Sequence, residues 1–174
     1  VAPAGSTLLA FDYSQIEMRV LAALSEDEVL MTVFREGNDV HTSVAARVFN
    51  VAEKDVTAEM RRRAKVINFG IVYGMGVNAL KDNLGSTRAE AQEFYDNYFI
   101  TFPKIAAYFE EVKSRAKRDG FTTTYFGRHR FFAGLRSPVP FIRASAERMA
   151  MNAPLQGTAA DIIKIAMKRA HDGL

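Results

Sequence analysis

The chain has 174 residues, 48% of them hydrophobic, with no cysteine and a net charge of +3 at pH 7. That is enough apolar material for one domain with its own core, or parts of two. It excludes disulfides, thiolate metal sites and cysteine nucleophiles, and no apolar run approaches the roughly 20 residues that a membrane-spanning helix needs.

So small a charge only hints at polyanionic partners, and its clustering matters more than its total. No signal peptide is visible, and the chain opens on Val1 with TLLAFD close behind, so it reads as a piece of a longer protein; the absence of cysteine fits an intracellular setting. Thr7 to Phe11 is a short apolar run between Gly5-Ser6 and Asp12, which predicts a buried strand ending at Asp12. Ser14-Gln15-Ile16-Glu17 has capping-box spacing, so a helix is expected there, burying Ile16, Val20, Leu21 and Leu24. Ser25-Glu26-Asp27-Glu28 opens a second helix that Gly37 closes. Asp39 precedes a third, to about Phe49, and Thr57 a fourth. Further helices are expected from Thr87 to about Ile100 and from Pro103 to Asp119, the latter stopped by Gly120. Residues 121 to 132, FTTTYFGRHRFF, alternate like a hairpin around Gly127. After Pro140 a helical pattern runs to Ala170, and Asn152-Ala153-Pro154 is expected to kink or break it. The fold class is α+β and predominantly helical. It has an early strand, whose sheet partners are expected outside this sequence, and a small hairpin.

The fourth helix carries the most informative stretch, RRRAKVINFGIVYGMG, residues 61 to 76. Arg61, Arg62, Arg63 and Lys65 lie near its N-terminus, where the helix dipole favours anions over cations. Met60, Ala64, Ile67 and Ile71 form an apolar stripe. Beside it Arg61, Lys65, Phe69 and Tyr73 fall four apart, a ridge roughly 18 Å long at about 1.5 Å per residue. Two cations followed by two aromatic rings repeat the order of a nucleoside triphosphate, phosphates at one end and a flat base at the other. Arg takes phosphate oxygens by a planar fork and Lys as a point charge. Gly70, Gly74 and Gly76 permit close approach of a backbone or a base. A surface helix with a solvated first turn, and with Phe69 and Tyr73 in the core, explains the same residues equally well.

Arg61, Lys65, Phe69, Tyr73 and Gly74 in RRAKVINFGIVYGMG resemble the fingers-helix motif of family A DNA polymerases, the bacterial DNA polymerase I type. DYSQIEMR, residues 12 to 19, resembles the first palm motif of that family, with Met18 in place of the commoner Leu. RASAERMAMNAPLQGTAADIIKIAM, residues 143 to 167, resembles the long palm helix before the third motif. The resemblance covers essentially the whole chain. It implies a palm part over residues 1–20, fingers over 21–140 and a second palm part over 141–174. It further implies a DNA-directed DNA polymerase, which transfers deoxynucleotides to a primer 3′-hydroxyl and releases pyrophosphate. The implied cofactor is a pair of Mg2+ ions. The implied partners are primer–template DNA and deoxynucleoside triphosphates, with no membrane. The protein is expected to be monomeric and cytoplasmic, at the nucleoid if bacterial.

The resemblance also assigns roles. Asp12 matches the aspartate that binds both metal ions, and Tyr13 the residue that lends a backbone carbonyl. Glu17 matches a glutamate under the incoming sugar that rejects a 2′-hydroxyl; from the sequence alone it closes the capping box. Gln15 is expected at the nucleotide and Arg19 in local support. Lys65 matches the lysine that contacts the incoming phosphates and donates a proton to pyrophosphate. Arg61 matches the γ-phosphate contact, and His41 joins them from the neighbouring helix. Taken alone, His41 reads as a partly exposed helix histidine. Phe69 matches the residue sensing the 3′ side of the sugar, and Tyr73 the one that guards the templating position and stacks on nucleic acid. Arg148, Asn152 and Gln156 match residues on the primer–template duplex, partly in the minor groove, whose acceptors are shared by all base pairs. KSRAKR at 113 to 118 and GRHR at 127 to 130 read as solvated.

The family's third motif, an apolar strand followed by His-Asp-Glu, is not matched by the terminal KRAHDGL. The second acidic metal ligand is therefore expected outside this sequence, and the chain alone is expected to polymerise poorly or not at all. A single-subunit RNA polymerase is the nearest rival, and Glu17 and Phe69 argue against it. A helical nucleic-acid-binding module without chemistry leaves a carboxylate closing a buried strand unexplained.

Overall fold

Polar side-chain caps decide where four of the helices among the described residues begin. The computed structural model describes residues 1–173. The first helix, α1, spans Ile16–Ser25, and α2, Glu28–Arg35, starts where Asp27 accepts from the Leu30 N–H at 3.1 Å. Asp39 accepts from the Thr42 N–H at 3.1 Å and opens α3, Val40–Val48. Thr57 accepts from the Met60 N–H at 3.2 Å and opens α4, Ala58–Val72. Then come α5, Val77–Leu84, and α6, Arg88–Thr101, which a full Thr87–Glu90 capping box opens. Such caps stabilise by about 1 kcal/mol each. Pro103 stands at the start of α7, Pro103–Asp119, and Gly120 at φ 81° ends it, the usual division of labour between these residues.

A hairpin follows, β1 Phe121–Thr123 and β2 His129–Phe131, antiparallel with Phe121 opposite Phe131. The last helix, α8, spans Pro140–Gly173. One core cluster joins Met18 and Leu21 of α1, Ala64 and Ile67 of α4, Tyr98 of α6, Phe109 of α7 and Leu155 of α8. Through it α1 packs against α4, α7 and α8, so the helix that begins within DYSQIEMR meets the helices that carry the other two motifs.

Four expectations need correction. Thr7–Phe11 is not a strand: Leu8, Leu9 and Phe11 are exposed, and the sheet among the described residues consists of β1 and β2 alone. A strand exists through its ladder partners, and this segment has none here. The Ser14–Glu17 capping box does not form. Gln15, at φ 53°, takes the cap position, and its carbonyl accepts the Met18 and Arg19 N–H groups at 3.1 Å each. Ser14 therefore stands one residue too early to cap. Pro154 does not break α8, because buried Ala150, Ala153, Leu155, Thr158 and Ala159 hold the helix on both sides of the one missing donor.

Finally, GRHR is not simply solvated, because Arg128 pins the hairpin to α8. Its Nε donates to Asp161 at 2.9 Å and its Nη2 to the Gly157 carbonyl at 2.9 Å. Thr124 adds a bond to Asp161 at 2.8 Å, and Thr158 accepts from the Tyr125 N–H at 2.9 Å. The cations of KSRAKR, by contrast, sit in surface pairs, among them Lys117–Glu147 at 2.9 Å, which ties α7 to α8.

Candidate nucleotide site

The cations at the start of α4 are balanced locally. Glu59, in the first turn, pairs with Arg62 at 2.7 Å and Arg63 at 2.9 Å, so the anion sits where the helix dipole favours it. Arg61 turns to the neighbouring helix and pairs with Asp39, Nε to Oδ2 at 2.7 Å and Nη2 to Oδ1 at 3.2 Å. Lys65 has no ion pair among the described residues and is exposed.

The two stripes of α4 separate as their spacing predicts. Ala64, Ile67 and Ile71 are buried and Met60 packs partly against them. On the other stripe Arg61 and Lys65 are exposed, Phe69 is half-buried and Tyr73 is 44% exposed. The ridge is thus a surface feature, and Tyr73 is not a core residue.

His41 meets the ridge from α3. It is 4% exposed, less than a helix histidine read alone would be, because Phe69 packs on it with ring centroids 5.9 Å apart. Its Nδ1 lies 3.0 Å from Nδ2 of Asn68, which is fully buried in α4. Burial lowers the His41 pKa; Asp39 pulls it upward, while Arg61 and Lys65 push it further down. Burial resists ionisation of Asp39, but the hydrogen bonds from Arg61 and Thr42 outweigh it and bring its pKa to about 2. Asp39, His41, Arg61, Lys65, Asn68 and Phe69 therefore form one connected group, with Lys65 as its unpaired cation.

Arg148 reaches the other end of the ridge. It passes close to Gly74, where a Cβ would stand 3.5 Å from the Cα, Cβ and Cγ of Arg148, an ordinary contact; the glycine is favoured there by its φ of 67°. Asn152, one turn further along α8, has a buried Oδ1 with no partner among the described residues, and Gln156 is half-buried one turn beyond. A cleft of about 440 Å3 between α7, β1 and Pro154 contains none of these residues.

The first motif is arranged differently. Asp12 and Tyr13 lie on the exposed segment leading into α1. Gln15 and Glu17 are half-buried at the start of that helix. Arg19 supports the local structure, donating to the Ser14 carbonyl at 3.0 Å and covering the Phe34 ring at 4.6 Å. No group of three or more His, Asp or Glu side chains that could hold a metal occurs among the described residues. His171 and Asp172 lie inside α8, with Asp172 paired to Lys168 at 3.0 Å, so they form no strand-borne third motif.

Two members of the site, Asp39 and Asn68, were not singled out by the sequence. In the sequence Asp39 reads only as a helix start. Asn68 carried a signal in its position, four residues after Ala64 on the buried face, where a polar group needs a partner.

The family match runs over residues 1–174 and is to DNA polymerase family A. This chain belongs to that family. It is 50% identical over 160 residues to DNA polymerase I of Geobacillus stearothermophilus, covering 92% of this chain and 18% of that protein. It is 48% identical over 167 residues to the thermostable DNA polymerase I of Thermus aquaticus, covering 96% of this chain and 20% of the relative. Its fold is similar to the POL domain of Pol1 from M. smegmatis in complex with DNA primer-template and dNTP. That similarity has a TM-score of 0.86 and 44% identity, and covers 90% of this chain and 28% of the other. The family A segment described here spans about a fifth of the length of the curated relatives it matches.

Proposed function

We propose that this chain is the nucleotide-binding and primer-facing part of a DNA-directed DNA polymerase. Residues 1–20 and 141–174 belong to the palm in this reading, residues 21–140 to the fingers, and the protein works as a monomer on primer–template DNA. The observation that carries it is the exposed ridge of α4, with Lys65 unpaired, Arg61 held beside it and His41 adjoining. Lys65 and Arg61 bind the phosphates of a deoxynucleoside triphosphate, Phe69 lies along its sugar and base, and Tyr73 stacks at the templating position. Glu17 excludes the 2′-hydroxyl, with Gln15 beside it. Arg148, Asn152 and Gln156 hold the duplex, and the unpartnered Oδ1 of Asn152 supports that role, since a buried acceptor calls for a donor.

Asp12 fits one place in a magnesium site: its carboxylate is exposed, and an oxygen donor set is what Mg2+ takes. The Tyr13 carbonyl would join it. The metal pair, when bound, supplies charge neutralisation at the reacting phosphate and hydroxyl oxygens. One carboxylate does not hold two such ions, so the 174-residue chain assayed by itself is expected to extend primers poorly or not at all. The test is primer extension by a polymerase of family length that carries this segment. Template-directed incorporation of deoxynucleotides, with ribonucleotides rejected, supports the reading. Equal use of both, or DNA binding with no extension in Mg2+, contradicts it.

A further inference from the structure

Arg61 reaches the site already gripped. Asp39 takes its Nε and Nη2 in a two-point contact at 2.7 and 3.2 Å. The same carboxylate is fixed independently by the first turn of α3, accepting from the Thr42 N–H at 3.1 Å and the Thr42 hydroxyl at 2.6 Å. A guanidinium carries five N–H donors in one rigid plane. Asp39 uses two of them, on the Nε–Nη2 edge. Three donors remain: one on Nη1 and the second on Nη2 form the end-on edge that another oxyanion can take, and the other Nη1 donor points back along the side chain. The Arg61 side chain is 48% exposed and that of Asp39 35%, so this edge stays reachable while the grip holds.

We propose that Asp39 is the positioning residue of Arg61: it clamps one edge of the guanidinium so that the Nη1–Nη2 edge is preset for the terminal phosphate of the incoming nucleotide. The inference rests on the phosphate-binding role of Arg61 given above. A free arginine loses much side-chain entropy when it orders around a phosphate, and a clamped one has lost it beforehand. The clamp is ionised throughout the neutral range, because the Arg61 and Thr42 bonds outweigh the burial that opposes it. Competition between Asp39 and the phosphate for Arg61 predicts the opposite effect on nucleotide affinity, so one experiment separates the two.

Asp39→Asn isolates the clamp. Asn caps a helix as well as Asp does, but its single amide oxygen cannot take both N–H groups and carries no charge. In a polymerase of family length carrying this segment, the variant is expected to raise KM for the nucleotide about tenfold, the change brought by losing roughly one charge-assisted bond. Its kcat should stay within about twofold. Asp39→Ser keeps a helix-capping oxygen but has no carboxylate to grip Arg61. It is expected to raise KM similarly, and it serves as the test should Asp39→Asn fail to fold. In an Arg61→Ala background, Asp39→Asn should add less than about twofold, as required of a residue acting through another. An unchanged or lowered KM in Asp39→Asn overturns the proposal, and so does a full tenfold effect in the absence of Arg61. If Arg61→Ala itself leaves KM unchanged, the phosphate role of Arg61 fails, and the clamp fails with it.

Discussion

The side-chain amide of Asn68 meets Nδ1 of His41 at 3.0 Å across the α3–α4 interface, with Asn68 fully buried and His41 nearly so. A buried amide on the core face of a helix is costly unless it is bonded. Here it fixes the ring of a histidine beside the ridge. With the amide donating, Nδ1 is the acceptor and the ring proton lies on Nε2. Neutral His41 is then an N–H donor adjoining Arg61 and Lys65, adding a hydrogen bond without a third positive charge.

Replacing Asn68 by Leu strands Nδ1 of His41 without a partner. We expect a loss of about 1–3 kcal/mol in chemical denaturation. The nitrogen chemical shifts of His41 should move toward a mixture of the two neutral tautomers. Unchanged shifts would show that Asn68 does not set the tautomer.

The same burial makes stability depend on pH. His41 titrates below its ordinary value of 6.5, so the unfolded chain binds the proton more readily than the folded one. Stability therefore rises with pH through this region and is lost as pH falls below about 6.5. Asp39 also titrates low, at about 2 against an ordinary 3.8, so its contribution persists until pH falls through that lower window. Denaturation midpoints from about pH 7.5 down to pH 5.5 should decline in the parent chain and flatten in His41→Gln. A midpoint that rises as pH falls contradicts this.

Gly157 lets the hairpin sit on α8. A Cβ there would stand 2.5 Å from Cγ2 of Thr124, whose hydroxyl bonds Asp161. Alanine ordinarily improves a helix interior over glycine by about 0.5–1 kcal/mol. Gly157→Ala should instead destabilise by about 1–3 kcal/mol, because the hairpin must shift. A raised melting temperature would show that the hairpin gives way freely.

The sequence displayed the parts of this chain that are local. Asp27, Asp39, Thr57 and Thr87 announced four helices because their caps bond residues only three positions ahead. The four-residue spacing of the ridge placed Arg61, Lys65, Phe69 and Tyr73 on one outer stripe. Where partners are distant, the reading failed. Thr7–Phe11 reads as a strand because its own residues suit one, and without a neighbour to pair with among the described residues it does not form. The Asp39–Arg61 clamp spans 22 positions and left no periodic trace. α5 was missed because its N-cap, Gly76, bears no capping side chain, although Gly85 at φ 63° was there to mark its end.

Asp12 is the one carboxylate assigned to metal. Asp12→Ala in the family-length polymerase should abolish Mg2+-dependent extension while primer–template affinity holds within about twofold, since catalytic metal ligands act on the reaction more than on duplex binding. Extension at the parent rate would remove Asp12 from the site.

The most direct measurement is single-nucleotide incorporation by the Lys65→Ala variant of the same polymerase. If the α4 ridge is the triphosphate seat, the maximal rate falls by roughly a hundredfold or more, as when a preorganised charge is taken from a reacting group, and binding of primer–template is unaffected. A variant that incorporates with the parent's rate and nucleotide KM would mean that the ridge holds no phosphate.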